Sequence, residues 1–292
     1  MNNNLTIFQT WSCILLSYRH SFHAGNFADV LKHLVQVEIL LSLRKKDKPF
    51  EYIDTHSGAG LYNLESESAQ KLSEFSNGIA KLDAASWPEL EQYLNLVVSF
   101  NSNDKLSFYP GSPAVALNYL RAQDRAWLYE LHPRDYGLLE TNMASHARVR
   151  ASQGDGFKGL LSHLPPTARR ALILIDPSYE VKSDYDTVVD VLKQAHQKFA
   201  TGIYALWYPV VERSRINRLE EKLVKSGIKN IQQFELGIQS DSIERGMTSA
   251  GMIVINPPWG LYEKLESLLP RLAKTLSCDG KLHHVCTTLV AE

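Results

Sequence analysis

Three loops in this chain set an acid among glycines or at the tip of an apolar run, where nucleoside ligands can be held. The first is Asp54-Thr55-His56-Ser57-Gly58-Ala59-Gly60. An apolar strand running into D-x-x-x-G-x-G is a form of nucleoside-cofactor loop. Its glycines let backbone approach the ligand, and freed N–H groups meet a carboxylate or phosphate. A tight turn without a ligand uses the same glycines and stays open as an alternative. The second is Tyr129-Glu130-Leu131-His132, with an acid where a ribose diol is gripped. Glu130 lies far beyond the ~20 residues of a dinucleotide fingerprint, and a solvated acid is the plainer alternative. The third is Gly154-Asp155-Gly156-Phe157. Asp155 can receive an adenine amino group and Phe157 can pack on the ring; a turn is the alternative.

A fourth run, ALILID, leads into Asp176-Pro177-Ser178-Tyr179. This approximates the D/N-P-P-Y/F tetrapeptide of enzymes that methylate exocyclic amino groups. Adenine N6 is a poor nucleophile because its lone pair is delocalised into the ring. An Asp176 oxygen and the Pro177 carbonyl can each accept one N6–H, favouring a pyramidal nitrogen aimed at a methyl sulfonium. The proline removes a competing donor and fixes φ. Tyr179 can stack on a flipped base. A competitor, Asn256-Pro257-Pro258-Trp259, keeps both prolines. It follows the last apolar run, whereas the reacting loop belongs beside the cofactor loop, so Asp176 is preferred.

These loops need elements to hold them. Seven apolar runs predict strands: 50–54, 126–131, 147–151, 171–176, 202–208, 230–236 and 251–256. Helix-length segments separate most of them, which argues for α/β with a mostly parallel sheet. The last two runs are close together and predict an antiparallel hairpin. A helix is expected over 28–43, capped by Asn26, with Asp29 completing a loose capping box. Residues 62–108 are expected to form a helical insert, with helices over 69–82 and 88–100. In Tyr109-Pro110-Gly111-Ser112-Pro113, Ser112 is expected as N-cap with Pro113 at N1.

The 292 residues carry 31 basic and 32 acidic side chains, for a net charge of −1. No global field advertises a polyanionic partner, so any nucleic-acid contact must be local. At 44% hydrophobic and 22% charged the composition is globular, which excludes disorder or coiled coil as the main account. Three cysteines without a C-x-x-C pair argue against a disulfide framework or zinc ribbon and point to a reducing cytosol. His20, His23 and His33 lack metal-ligand spacing. No apolar run reaches the ~20 residues of a membrane span. No cysteine stands in a nucleophile context, which disfavours C5-pyrimidine methylation.

Taken together, SYRHSFHAGN at 17–26, DTHSGAG, YPGSP, ELHP, the Asp155-Gly156 pair, DPSY, ALWYPV at 205–210 and GMIVINPPW at 251–259 resemble the bacterial 23S rRNA adenine-N6 methyltransferase J family. The resemblance runs from Leu15 or Leu16 to the C-terminus. It implies a class I methyltransferase fold: a Rossmann-like seven-stranded sheet with a terminal antiparallel hairpin and a small helical insert. It implies S-adenosylmethionine as cofactor and N6 of one adenine, position 2030 of 23S rRNA, as target. DNA or another RNA is the alternative substrate. Cofactor contacts are implied at Lys32, His33, His56, Ser112, Glu130, Asp155, Gly156 and Asp176, catalysis at Asp176, and an RNA role for Tyr18. Pro177 and Tyr179 join the base pocket. A cytoplasmic monomer without metal or membrane is expected. The family pattern is D-P-P-Y, and Ser178 replaces its second proline. Leu15 is expected as the native start, residues 1–14 as a non-native leader, and 15–61 with 109–292 as the methyltransferase domain. Beside what the resemblance implies, Arg19, His20, Arg213, Arg215 and Arg218 are candidate RNA contacts, with a solvated helix face as the open alternative.

Overall fold

The chain's first long element is built by its cap. Asn26 Oδ1 accepts from the backbone N–H groups of Ala28 and Asp29, at 2.9 and 3.0 Å, and starts α1 (Phe27–Arg44). The expected capping box closes one residue early: the Asp29 carboxylate accepts from Gly25 N–H at 2.9 Å. α1 is buried on most of its circumference, as its apolar residues on several sides require. This computed structural model describes residues 19–102, 105–181, 183–241 and 246–292. Tyr18 and the expected leader lie outside the described residues.

The strands follow the apolar runs: β1 (Glu51–Asp54), β4 (Arg125–Glu130), β5 (Val149–Gln153), β6 (Ala171–Ile175), β7 (Ile203–Val210), β8 (Ile231–Gly237) and β9 (Ser249–Ile255). A short ribbon of β2 (Leu61–Asn63) and β3 (Phe108–Pro110) brackets the long gap. The main sheet has eight strands rather than seven, in the order β10-β8-β9-β7-β6-β1-β4-β5. The additional strand is β10 (His283–Val290), antiparallel to β8 at the edge. Its HHVCTTLV sequence is mostly half-buried and carries no clean alternation, so periodicity does not reveal it. The expected hairpin is present as β8–β9, and β9 also pairs antiparallel with β7.

β5, β4, β1, β6 and β7 run parallel, so their C-terminal ends share one edge. Strand order reverses around β1, with β4 on one side and β6 on the other. Ligands bind open α/β sheets in the crevice at such a reversal. One core lies between the sheet and α1, α4 (Ser112–Tyr119) and α9 (Leu261–Leu276). The other lies under α6 (Gly156–His163), α7 (Asp184–Lys198) and α8 (Arg213–Val224). α5 (Pro133–Met143) follows β4.

Within 62–108 the expected 69–82 helix is broken. α2 covers only Glu67–Leu72, because Ser73 adopts a left-handed φ of 48° and single 3-10 turns follow. Its start is fixed by Ser66, whose side chain accepts from Ala69 N–H. α3 (Glu91–Ser99) occupies the second expected segment. Among the described residues no helix is long and apolar enough to cross a membrane.

Candidate active site

A cavity of about 760 Å³ opens at the C-terminal edge of the parallel strands. β1 delivers Asp54 and the glycine loop, β4 delivers Glu130, β5 leads to Asp155 and Gly156, and β6 leads to Asp176. α1 crosses beside them and supplies Lys32 and His33. Thus His33, His56, Ser112, Glu130, Asp155, Gly156, Asp176, Pro177 and Tyr179 all line one cavity with Lys32.

Lys32 is the electrostatic centre. Its Nζ lies 2.6 Å from Asp176 Oδ2 and 2.9 Å from Asp29 Oδ1. Burial opposes the ammonium's charge, but the two carboxylates outweigh burial and hold its pKa well above the ordinary value. Asp29 also meets His20 Nε2 at 2.8 Å. Burial pushes Asp29 up, yet His20 and Lys32 bring it well below the usual carboxylate range. At Asp176 burial wins over Lys32 and raises the pKa. Asp176 Oδ1 has no hydrogen-bond partner among the described residues.

The loop after β6 is strained. Tyr179 sits at φ 54°, a left-handed conformation uncommon for a bulky residue. Its hydroxyl donates to the Trp207 carbonyl at 2.7 Å, and its ring packs on Tyr185 at 4.5 Å. These contacts fix the loop that presents Asp176. Ser178 is exposed.

At the other end of the cavity, Glu130 accepts from Gly58 N–H at 2.8 Å and His132 N–H at 2.7 Å. Burial nevertheless raises its pKa to about 7. Asp155 caps α6, with Oδ1 accepting from Phe157 and Lys158 N–H. Gly156 is required sterically: a Cβ there would lie 1.8 Å from the Thr55 carbonyl oxygen. His56 meets Phe157 edge-on at 5.0 Å, and burial lowers its pKa to about 4.

Two expectations need correction. Ser112 is not the N-cap of α4; Gly111 holds that position and Ser112 is the first helical residue. Ser112 Oγ instead donates to Asp54 Oδ2 at 2.7 Å, beside the Tyr52 hydroxyl at 2.6 Å. Burial raises that Asp54 to about 6. Arg213 is not the free surface cation expected, being already paired within the protein. Its guanidinium pairs with buried Glu235 through two bonds, at 2.7 and 2.9 Å, and with Asp241. Arg215 lines the cavity and lies over the Tyr185 ring, while Arg218 lines a smaller hollow beside it. The Arg19 Nε is buried and has no hydrogen-bond partner among the described residues, so that side chain is partly withdrawn from solvent.

Asn256 lies elsewhere. β9 runs against β7, so its C-terminal residue Ile255 pairs with Tyr204, at the start of β7. That places Asn256 at the opposite edge of the sheet, where its Nδ2 donates to the Ala200 and Gly202 carbonyls.

Sequence reasoning gave Asp29 only a capping role, and it passed over Trp207 and Tyr109 as single site residues. A buried acid three residues before a lysine was the available signal for Asp29. Trp207 and Tyr109 gave none beyond their family segments.

A family model described as "Ribosomal RNA large subunit methyltransferase D, RlmJ" matches residues 47–287. The chain is 51% identical over 284 residues to the ribosomal RNA large subunit methyltransferase J of Escherichia coli K12, covering 95% of this chain and 100% of that protein. It is 47% identical over 269 residues to the protein of the same name from Haemophilus influenzae, covering 91% and 96%. Among solved structures, protein LPL1258 of Legionella pneumophila superposes with a TM-score of 0.84 at 36% identity, covering 91% of this chain and 98% of that one.

Proposed function

Because the chain belongs to the ribosomal RNA large subunit methyltransferase J family, we propose that it transfers a methyl group from S-adenosylmethionine to N6 of adenine 2030 in 23S rRNA. Rossmann-like domain 15–61 plus 109–292 would carry the reaction, with 62–108 as its insert. One arrangement supports this reading above the rest: Lys32 grips Oδ2 of Asp176 and leaves Oδ1 without a partner among the described residues at the cavity.

The cavity's residues suit this cofactor. Glu130 is a carboxylate able to accept both ribose hydroxyls, once ionised. Gly156 leaves room that a Cβ would fill. Buried His33 Nε2 has no partner among the described residues. Asp155 can turn Oδ2 to an adenine amino group, since its cap bonds use Oδ1 and, among the described residues, Oδ2 meets only the exposed Lys158 ammonium, at 3.6 Å. S-adenosylmethionine, when bound, supplies a methyl on a sulfonium.

The chain's own residues then prepare the nucleophile. Asp176 Oδ1 and the Pro177 carbonyl accept the two N6 hydrogens, which localises the nitrogen lone pair. Burial makes Oδ1 a stronger proton acceptor. Lys32 keeps the carboxylate from rotating. Tyr179, pinned by Trp207 and Tyr185, supplies a stacking wall for the flipped base. Tyr18 is an RNA contact in the same proposal, with Arg215 and Arg218 as phosphate partners.

The test uses labelled S-adenosylmethionine with 23S rRNA lacking the mark. The wild type is expected to label one adenine N6, and Asp176→Ala to lose at least ~10²-fold in rate. Label on duplex DNA instead, or an active Asp176→Ala enzyme, would overturn the proposal.

A further inference from the structure

A buried hydrogen-bond chain leaves the cofactor cavity and ends in the segment between β2 and β3. His33 Nδ1 lies 2.7 Å from the Tyr109 hydroxyl, which lies 2.8 Å from the Tyr93 hydroxyl. All three side chains are fully buried. His33 and Tyr109 are stacked, with centroids 5.4 Å apart at 26°. Burial raises both phenols far above neutral pH, so each keeps its proton. It also drives His33 down to about 3, so the ring is neutral and carries a single N–H.

The chain can run in only one direction without stranding a hydrogen. Among the described residues the Tyr93 hydroxyl has one partner, Tyr109. Its hydrogen therefore goes to the Tyr109 oxygen. The Tyr109 hydrogen then has one acceptor left, His33 Nδ1. Reversed, the chain would leave the Tyr93 hydrogen buried and unpaired, which native cores avoid. A neutral imidazole that accepts at one nitrogen donates at the other.

We propose that Tyr109, with Tyr93 closing the chain, is a positioning residue that locks His33 in the Nε2–H tautomer and makes it a donor to the carboxylate of the cofactor's methionyl end. The ligand half of this proposal rests on the S-adenosylmethionine reading above. Glu130 and Asp155 take the nucleoside end of the cavity, and Asp176 marks the reacting centre. His33 follows Lys32, which touches Asp176, so it lies on the side left for the amino-acid end. A carboxylate only accepts, so an Nε2 lone pair would repel it and Nε2–H pairs with it.

Selective [¹⁵N]histidine labelling reads the tautomer directly at neutral pH, with His33 assigned by loss of its signals in His33→Gln. The expected wild-type spectrum shows a protonated Nε2 and a bare Nδ1. Tyr109→Phe is expected to give a mixture of tautomers and about tenfold weaker S-adenosylhomocysteine binding. Binding of 5′-methylthioadenosine, which lacks the amino-acid end, should not change. Tyr93→Phe should keep Nε2–H, because Tyr109 still has only Nδ1 to donate to. A wild-type Nδ1–H tautomer would overturn the proposal even if no variant folds. So would a Tyr109→Phe protein that weakens both ligands equally, or neither. A wild type that binds neither ligand would overturn the cofactor reading and the carboxylate assignment, while its spectrum still decides the tautomer.

Discussion

Two loops of this chain read almost alike: Asp176-Pro177-Ser178-Tyr179 and Asn256-Pro257-Pro258-Trp259. Each follows a buried apolar strand, and each contains a non-glycine residue at φ 54°. The first ends a parallel strand and faces the cavity, with Tyr179 buried. The second ends an antiparallel strand at the far edge, where Asn256 ties two carbonyls and Trp259 is 93% exposed. Strand direction separates them. A tetrapeptide has chemical meaning only on the sheet edge where acids and glycines converge, and the closer textual match sits on the wrong edge.

The sharpest way to break this comparison is to truncate both acidic or amide heads. Asp176→Ala should lower kcat/KM by ~10²–10⁴-fold with little loss of stability. Asn256→Ala should leave kcat/KM within about twofold and cost about 1–2 kcal/mol in urea unfolding, because two carbonyls lose their donor. A catalytic defect in the Asn256 variant would invalidate the assignment by strand direction.

The arginines flanking the reactive edge sharpen it next. Arg213→Ala should destabilise by about 3 kcal/mol, since buried Glu235 would lose its cation and keep only the Tyr208 hydroxyl, yet the salt slope of RNA binding should not move. Arg215→Ala should lower that slope by about one with unfolding nearly unchanged.

A pH titration tests the cofactor end of the same edge. Burial raises free Glu130 to about 7, and in its proposed role it must ionise to accept a ribose diol. S-adenosylhomocysteine affinity should therefore fall below pH 7, by at most about tenfold per unit, and Glu130→Gln should flatten the curve. The stability effect has the opposite sense. Between about 4.5 and 7 the native chain holds a proton that the unfolded chain has lost, so unliganded stability declines as pH rises through that window. Glu130→Gln should remove that decline in urea unfolding. A pH-independent wild-type affinity would show that Glu130 does not grip the diol.

The smallest effects belong to exposed loop positions. Trp259→Ala should change stability by less than about 0.5 kcal/mol and leave methylation intact. Ser178→Pro, which restores the family pattern, should keep activity within about threefold, as Ser178 is exposed and its N–H pairs with no described acceptor. A large gain from Ser178→Pro would mean that Ser178 loosens the reactive loop.

The strands that build the reactive edge were legible because parallel strands covered on both faces are continuous apolar words, such as ALILI. Asp176 was legible because it ends such a word, Glu130 because it stands at the tip of a strand, and Asp155 because it stands between two glycines. β10 was not, since a half-buried edge strand carries little hydrophobic signal. Lys32 and His33 look like ordinary residues of a buried helix; the family segments supplied them, and only the tertiary packing of α1 gives them partners, Asp176 after β6 for Lys32 and Tyr109 of β3 for His33. Ser112 was misassigned because a cap and the first residue of a helix differ by one position, a distinction that backbone geometry decides. Arg213 looked like a surface cation because its partner, Glu235, is remote in sequence and inside the sheet.

The placement of β9 has a consequence for the order of assembly. β7 and β8 are consecutive in the chain yet do not pair; β9, made after both, fills the slot between them, and the Tyr208 side chain of β7 reaches Gln233 and Glu235 of β8 across it. α1 packs on β7, β8 and β9, so the earliest long helix has no complete seat until that interior strand is in place. Lys32 and His33 ride on α1, whereas Asp176 waits on β6. A partly synthesised chain thus holds every glycine of the nucleoside loop before α1, which carries Lys32 to Asp176, has its full seat on the sheet.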